Sequence, residues 1–211
     1  MKIFIAGSTG RVGLTLLDKM SQTGHQIFAG ARQKDKVPTI RDVTPVSFDL
    51  DWTPDQMIEV IKEMDIIIDV AGSSGGSLLQ VDLFGAVKLM QATESAGIKR
   101  FILLSTIFAL QPEKWTTPGF IALKDYYIAK HFADLYLINN TSLDYTILQP
   151  GYLTEEKETG LIDINDEISA PNTIEDVAQT LKELVNTKHS IGKVITMHNG
   201  ATPIAAALNA L

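Results

Sequence analysis

The stretch Gly7-Ser8-Thr9-Gly10-Arg11-Val12-Gly13 constrains this 211-residue chain more than any other. It follows an apolar run, Lys2–Ala6, and leads into an amphipathic one, Val12–Gln22. Strand, glycines and helix in that order make a tight crossover turn. One glycine lets the backbone bend sharply, a second removes a side chain where a ligand must come close, and a third lets helix and strand touch. The helix then aims free N–H groups and the positive end of its dipole back at the turn. The GxxGxxG spacing therefore predicts a seat for the pyrophosphate of a dinucleotide.

The rest of the chain repeats the alternation. Strands are expected at Lys2–Ala6, Gln26–Ala29, Val43–Phe48, Asp65–Val70, Arg100–Leu104, Asp144–Leu148 and Lys193–Met197, most too continuously apolar to have a wet face. Helices are expected at Val12–Gln22, Pro54–Lys62, Leu79–Ala96, Lys124–Asn139 and Ile174–Asn186. Thr53-Pro54 and Thr173-Ile174-Glu175-Asp176 open helices, and Gly24 and Gly97 stand where helices stop. The pattern predicts an α/β protein: a three-layer doubly wound parallel sheet of the Rossmann kind, residues 1–211 as a single domain. Two irregular stretches, Ile107–Leu123 and Gly151–Asn172, follow strands and so wall the ligand crevice.

Composition narrows the partners. With 18 Lys and Arg against 25 Asp and Glu, the net charge of −7 points away from a nucleic acid and leaves anions to be caught locally. There is no cysteine for a disulfide, a thiolate metal site or a Cys nucleophile. His25, His131, His189 and His198 lack metal-ligand spacing, so no metal is expected. No leader or membrane-spanning run is seen, and the plain expectation is a cytoplasmic protein acting on a small molecule, with neither membrane nor nucleic acid as partner. Nothing in the sequence sets the oligomeric state.

The second strand decides which dinucleotide. An NAD site carries an acidic residue about 20 residues beyond the glycines to hold the ribose 2′-OH. Here the strand runs out as Gly30-Ala31-Arg32 with no acid. Arg32, helped by Arg11, would instead form charge-assisted bonds to a 2′-phosphate, so NADP(H) is the expected cofactor and NAD(H) the alternative. Lys34 and Lys36 read as surface charge. Asp49 and Leu50 could hold the adenine, and Ala71 and Gly72 at the fourth strand end allow close approach of the cofactor. The acidic run Glu155-Glu156-Lys157-Glu158 reads as a solvated loop, and Phe108 and Trp115 as candidate pocket walls.

For chemistry the sequence offers Ser105 at the fifth strand end and Tyr126 with Lys130 one helical turn apart. An ammonium at Lys130 would hold ribose hydroxyls and make the Tyr126 phenol a usable acid, with Ser105 bonding the developing alkoxide. Thr106 competes with Ser105 for that place.

Seven segments carry a resemblance: GSTGRVG at 7–13, GAR at 30–32, FDLD at 48–51, DVAG at 69–72, VDLFGAVKLMQATESAGIKRFILLST at 81–106, YYIAK at 126–130 and LDYTILQPG at 143–151. Together they resemble the atypical branch of the short-chain dehydrogenase/reductase superfamily, which holds NmrA-like regulators and biliverdin-IXβ or flavin reductase-like proteins. The resemblance implies cofactor contacts from Gly7 to Gly13, at Arg32, at the fourth strand end, and from Ser105, Lys130, Pro150 and Gly151. It also implies catalytic roles for Ser105, Tyr126 and Lys130. Gln149 stands where relatives often have Arg, and some members of the branch only sense their cofactor. The expected function is NADP(H)-dependent reduction of a small carbonyl, quinone or flavin-like acceptor. The alternatives are a non-catalytic NADP(H) sensor and, third, a nucleotide-sugar epimerase-like enzyme, for which too little chain follows Gly151.

Overall fold

A computed structural model describes residues 1–211. Six strands arrive in turn: β1 (Lys2–Ala6), β2 (Gln26–Ala31), β3 (Val43–Ser47), β4 (Ile66–Asp69), β5 (Arg100–Leu104) and β6 (Asp144–Pro150). Two short ones, β7 (Leu153–Thr154) and β9 (Asn172–Thr173), pair with each other, while β8 (Leu161–Ile164), β10 (Lys193–Asn199) and β11 (Thr202–Pro203) join the main sheet. Its order is β11-β8-β10-β6-β5-β4-β1-β2-β3, parallel from β3 through β10 and antiparallel at β8 and β11. The helices are α1 (Arg11–Met20), α2 (Pro54–Ile61), α3 (Phe84–Ser95), α4 (Pro118–Ala122), α5 (Lys124–Asn140), α6 (Ile174–Leu184) and α7 (Ile204–Asn209).

The continuously apolar strands are explained by what covers them. Along β1, Ile3 and Ile5 enter a core built with Leu16, Leu17 and Met20 of α1 and Val177 and Leu181 of α6. Phe4 and Ala6 face the opposite way, into a core with Met57 and Ile61 of α2, Leu89 and Met90 of α3 and Leu137 of α5. Both faces are dry, so period-two alternation has nothing polar to display. The edge strand β3 is wet, and Pro45 within it removes a ladder donor and blunts the edge. Arg100 fastens the amino ends of β5 and β6, donating to the Asp144 carbonyl and the Thr146 hydroxyl, both at 2.8 Å, and to the last carbonyl of α6 at 3.0 Å.

Three expectations are corrected. The helix expected from Leu79 begins as a π-helical turn, Leu78–Leu83, and becomes α-helical at Phe84. That wider turn accompanies a buried Asp82, whose carboxylate accepts from the Ser73 N–H at 3.1 Å. The stretch Ile107–Leu123 contains α4, and Gly151–Asn172 contains β7 and β8, with Ile164 opposite Met197 and Ile162 opposite Asn199 of β10. The acidic run is also anchored: Glu155 pairs with Arg11 at 3.3 Å, and Glu158 shares Lys19 with Glu175. Asp176 adds bonds from Thr159 and Gly160 N–H groups at 3.0 and 2.8 Å, fixing this loop to α1 and α6. No helix is long and apolar enough to cross a membrane.

Candidate functional site

At the exit of β1 the glycines divide their labour. Gly7 turns at φ +81°, in the left-handed region, and a Cβ there would lie 2.5 Å from the Ala71 Cα. A Cβ on Gly13 would lie 2.2 Å from the Gly7 carbonyl oxygen, so this glycine seats α1 on the turn. Gly10 is different: it is exposed, and a Cβ would meet only the Gly7 oxygen, at 3.3 Å. It is the N-cap of α1, and no side chain caps that helix. First-turn N–H groups have no partner within a helix, so the cradle that fits a pyrophosphate lies over Gly10. Val12 is buried and anchors the helix, Thr9 is exposed, and Ser8 is buried with its hydroxyl donating to the Gly30 carbonyl at 2.9 Å. Ser8 thus binds the turn to β2 through its side chain.

The adenosine side follows from the next strand ends. Gly30 leaves room for the Phe4 ring, which a Cβ would approach to 2.4 Å, and Phe4 in turn meets Phe48 edge-on at 4.8 Å. Arg32 lies exposed just past β2, while exposed Arg11 is paired with Glu155 across the crevice. Asp49 is half-buried and accepts from the Asp51 N–H at 3.0 Å, and Leu50 is buried against Gly85. Beyond β4, Ala71 is half-buried and Gly72 exposed, and the Ala71 N–H donates to Asp69 at 3.0 Å.

The ends of β5 and β6 and one face of α5 converge on a buried polar cluster. Lys130 is 4% exposed, and its Nζ donates to the Leu104 carbonyl at 3.2 Å. Burial pushes this ammonium down, but the Tyr126 phenol and the carboxylates of Asp69, Asp82 and Asp134 outweigh it and hold it above its ordinary range. Tyr126 is half-buried, whereas its neighbour Tyr127 is buried, with its hydroxyl 3.4 Å from that of Thr106. Ser105 departs from the expected role. Its hydroxyl donates to Asp134 Oδ2 at 2.8 Å, and Gln149 donates to the same oxygen at 2.8 Å, so in this arrangement the Ser105 proton points into the protein. Burial lifts both Asp69 and Asp134 to about 6. Pro150 and Gly151 are buried as well, and Gly151 is required by the following loop: a Cβ would lie 1.9 Å from the Ala170 carbonyl oxygen.

Asp82 and Asp134 were not singled out in the sequence; Asp69 entered only as the first residue of DVAG, and Gln149 only as a departure from the Arg of relatives. Asp134 stands four residues after Lys130, a spacing that on a helix usually marks a solvated ion pair, and only the packing of α5 on the sheet makes it a buried acid. Further polar atoms sit buried without a partner around the crevice: Ser73 Oγ after β4, Gln111 Oε1 and Lys114 Nζ after β5, and Asn172 Oδ1 at the start of β9. Such groups are costly, about 1–3 kcal/mol each. Their concentration at one end of the sheet marks that end as the binding side.

A doubly wound sheet with an uncapped glycine turn at β1 defines a dinucleotide-binding protein. The chain belongs to the NAD(P)H-binding family, whose profile matches residues 7–188. A crystal structure of the oxidoreductase YlbE from Lactococcus lactis is 68% identical, covers 100% of this chain and 96% of its own, and superposes with a TM-score of 0.99. A candidate NAD-dependent epimerase/dehydratase from Bacillus halodurans is 32% identical over the whole of both chains, with a TM-score of 0.90. The uncharacterized sugar epimerase YhfK of Bacillus subtilis is 34% identical over 100% of both.

Proposed function

We propose that this chain is an NADPH-dependent reductase of a small carbonyl, quinone or flavin-like acceptor. The observation that carries the reading is the Tyr126–Lys130 pair: a half-buried phenol one turn from a buried ammonium, at the carboxyl end of a sheet whose first turn is open to pyrophosphate. When bound, the dihydronicotinamide supplies a hydride. The glycine turn holds the pyrophosphate and Arg32 the 2′-phosphate. Lys130, kept charged by the Tyr126 phenol and three carboxylates, holds the ribose hydroxyls beside Tyr126, whose phenol gives its proton to the acceptor oxygen. Ser105, whose hydroxyl donates to Asp134, positions the end of β5. The name oxidoreductase carried by the 68% identical relative supports this reading. The epimerase names of more distant relatives are weighed against residues 151–172, which are pinned to α1 and α6 and form no separate sugar-binding region.

Two measurements test it. Tyr126→Phe is expected to cut NADPH oxidation with a panel of quinones, aldehydes and flavins about 100-fold while NADPH affinity holds within about twofold. Full turnover in the variant would remove Tyr126 from the chemistry. Arg32→Ala is expected to weaken NADPH about tenfold more than NADH, the scale of one lost charge-assisted contact. Equal weakening of the two would remove the 2′-phosphate contact.

One observation favours a sensor instead: Ser105 and Lys130 are both already bonded within the chain. Tight NADPH binding with no oxidation by any acceptor would select that reading.

A further inference from the structure

We infer that the acceptor taken by this site carries a carboxylate, and that Lys114 is the residue that selects it. The inference rests on the reading of the crevice as an acceptor site and names a chemical class for its occupant. Lys114 lies on the loop after β5, and its Nζ is shielded from solvent without a single hydrogen-bond acceptor. An ammonium has three donors to satisfy. What Lys114 has is the face of the Phe108 ring, 4.2 Å from the nitrogen to the centroid, and the carboxylate of Glu167 at 3.7 Å, beyond hydrogen-bonding distance.

Glu167 belongs to the opposite wall, the segment between β8 and β9, and its side chain is 88% exposed against 25% for Lys114. A pair this long, with its carboxylate in water, is weak. It is readily exchanged for a ligand carboxylate that reaches the ammonium directly, where the bond is charge-assisted and partly desolvated.

The surroundings suit a flat molecule. Trp115, half-buried, stands 5.4 Å from the Tyr127 ring, and Phe120 stands 5.0 Å from it. Phe108, which carries the ammonium on its ring, is held at φ +57°. For a bulky residue that conformation is strained and persists where the surroundings over-determine it. Here the Phe108 carbonyl accepts from the Trp115 indole N–H and the Gln111 N–H, both at 2.9 Å. The strained turn therefore fixes an aromatic plate and a cation side by side.

The test uses the NADP-loaded protein and two probes of one shape, anthraquinone-2-carboxylate and its neutral carboxamide, with binding read by calorimetry. The carboxylate is expected to bind about tenfold more tightly than the amide, which corresponds to about 1.4 kcal/mol. In Lys114→Met that ratio falls to about one. In Glu167→Gln, where the competing carboxylate is gone, the ratio rises. NADP affinity of each variant reports that the domain is folded. A ratio of one in the unaltered protein overturns the inference. So does a Glu167→Gln variant that loses carboxylate binding as Lys114→Met does, because Lys114 and Glu167 would then be only a clamp between loops. Binding is measured without turnover, so the two readings fail separately. Lys114-dependent carboxylate binding with no NADPH oxidation would keep this inference and sink the reductase, and oxidation by quinones without carboxylate preference would do the reverse.

Discussion

Gly13→Ala is expected to lose about 2–4 kcal/mol of folding stability, while Gly10→Val, in the same motif, keeps the fold and loses NADPH. The added carbon at position 13 would lie 2.2 Å from the Gly7 oxygen and 2.8 and 2.9 Å from the Cα and carbonyl carbon of Ser8. All three obstacles are backbone, so no side chain can swing aside. Relief requires α1 to lift off the turn, and α1 buries Leu16, Leu17 and Met20 completely in the larger core. At position 10 the only close atom is the Gly7 oxygen at 3.3 Å, and the rest of the valine extends into the space at the α1 N-terminus. The stability cost there is that of an unfavourable N-cap, up to about 1 kcal/mol. The pyrophosphate is excluded, and NADPH affinity is expected to fall at least about 100-fold. Urea midpoints and cofactor titrations separate the two variants. Normal NADPH binding by Gly10→Val would mean that the pyrophosphate lies elsewhere.

What could be read in advance was what depends on local pattern. The seven long strands were legible because a strand covered on both faces is apolar at nearly every position, as Ile66–Ile67–Ile68 shows. The glycine turn was legible because each of its glycines has a steric reason that survives out of context. The strands β8 and β11 were not, since a segment such as Leu161–Ile164 is short and mixed and becomes a strand only through pairing with β10. At the site, helical spacing separated Tyr126 from Tyr127, which turns into the aromatic cluster with Trp115 and Phe120. The same spacing rule does not distinguish Asp134 from an ordinary solvated partner of Lys130, because periodicity carries no information on how deeply α5 sinks toward β5 and β6. Lys114 sits in Pro112-Glu113-Lys114, a sequence indistinguishable from an ordinary polar turn.

The acids around Lys130 should make the protein more stable at pH 5 than at pH 8. Asp69 and Asp134 are lifted by burial from 3.8 to about 6. Between those values the folded state holds protons that the unfolded chain has released, so stability falls as pH rises through the window and the loss is complete above about 6. Two pKa units correspond to at most about 3 kcal/mol per group, and the two acids share Lys130, so their combined effect is less than the sum. His198 extends the decline. Burial lowers it, but the Asn199 carbonyl and Asp166 carboxylate outweigh that and hold it above 6.5, so its contribution is lost as pH rises past its folded value. Asp176 acts elsewhere: burial raises it, the N–H groups of Thr159 and Gly160 lower it further, and the stability it adds is lost only on acidification below about 4. Urea midpoints from pH 4 to 8 should therefore fall, and Asp134→Asn, which keeps an acceptor for Ser105, should flatten the curve and gain about 1–3 kcal/mol at pH 8. A loss of stability in that variant at pH 8 would instead make the Asp134 charge a net support through Lys130. With the expected gain, the native sequence gives up stability at neutral pH to keep ionised carboxylates around a protonated Lys130, the trade expected where function rather than folding selects the residues.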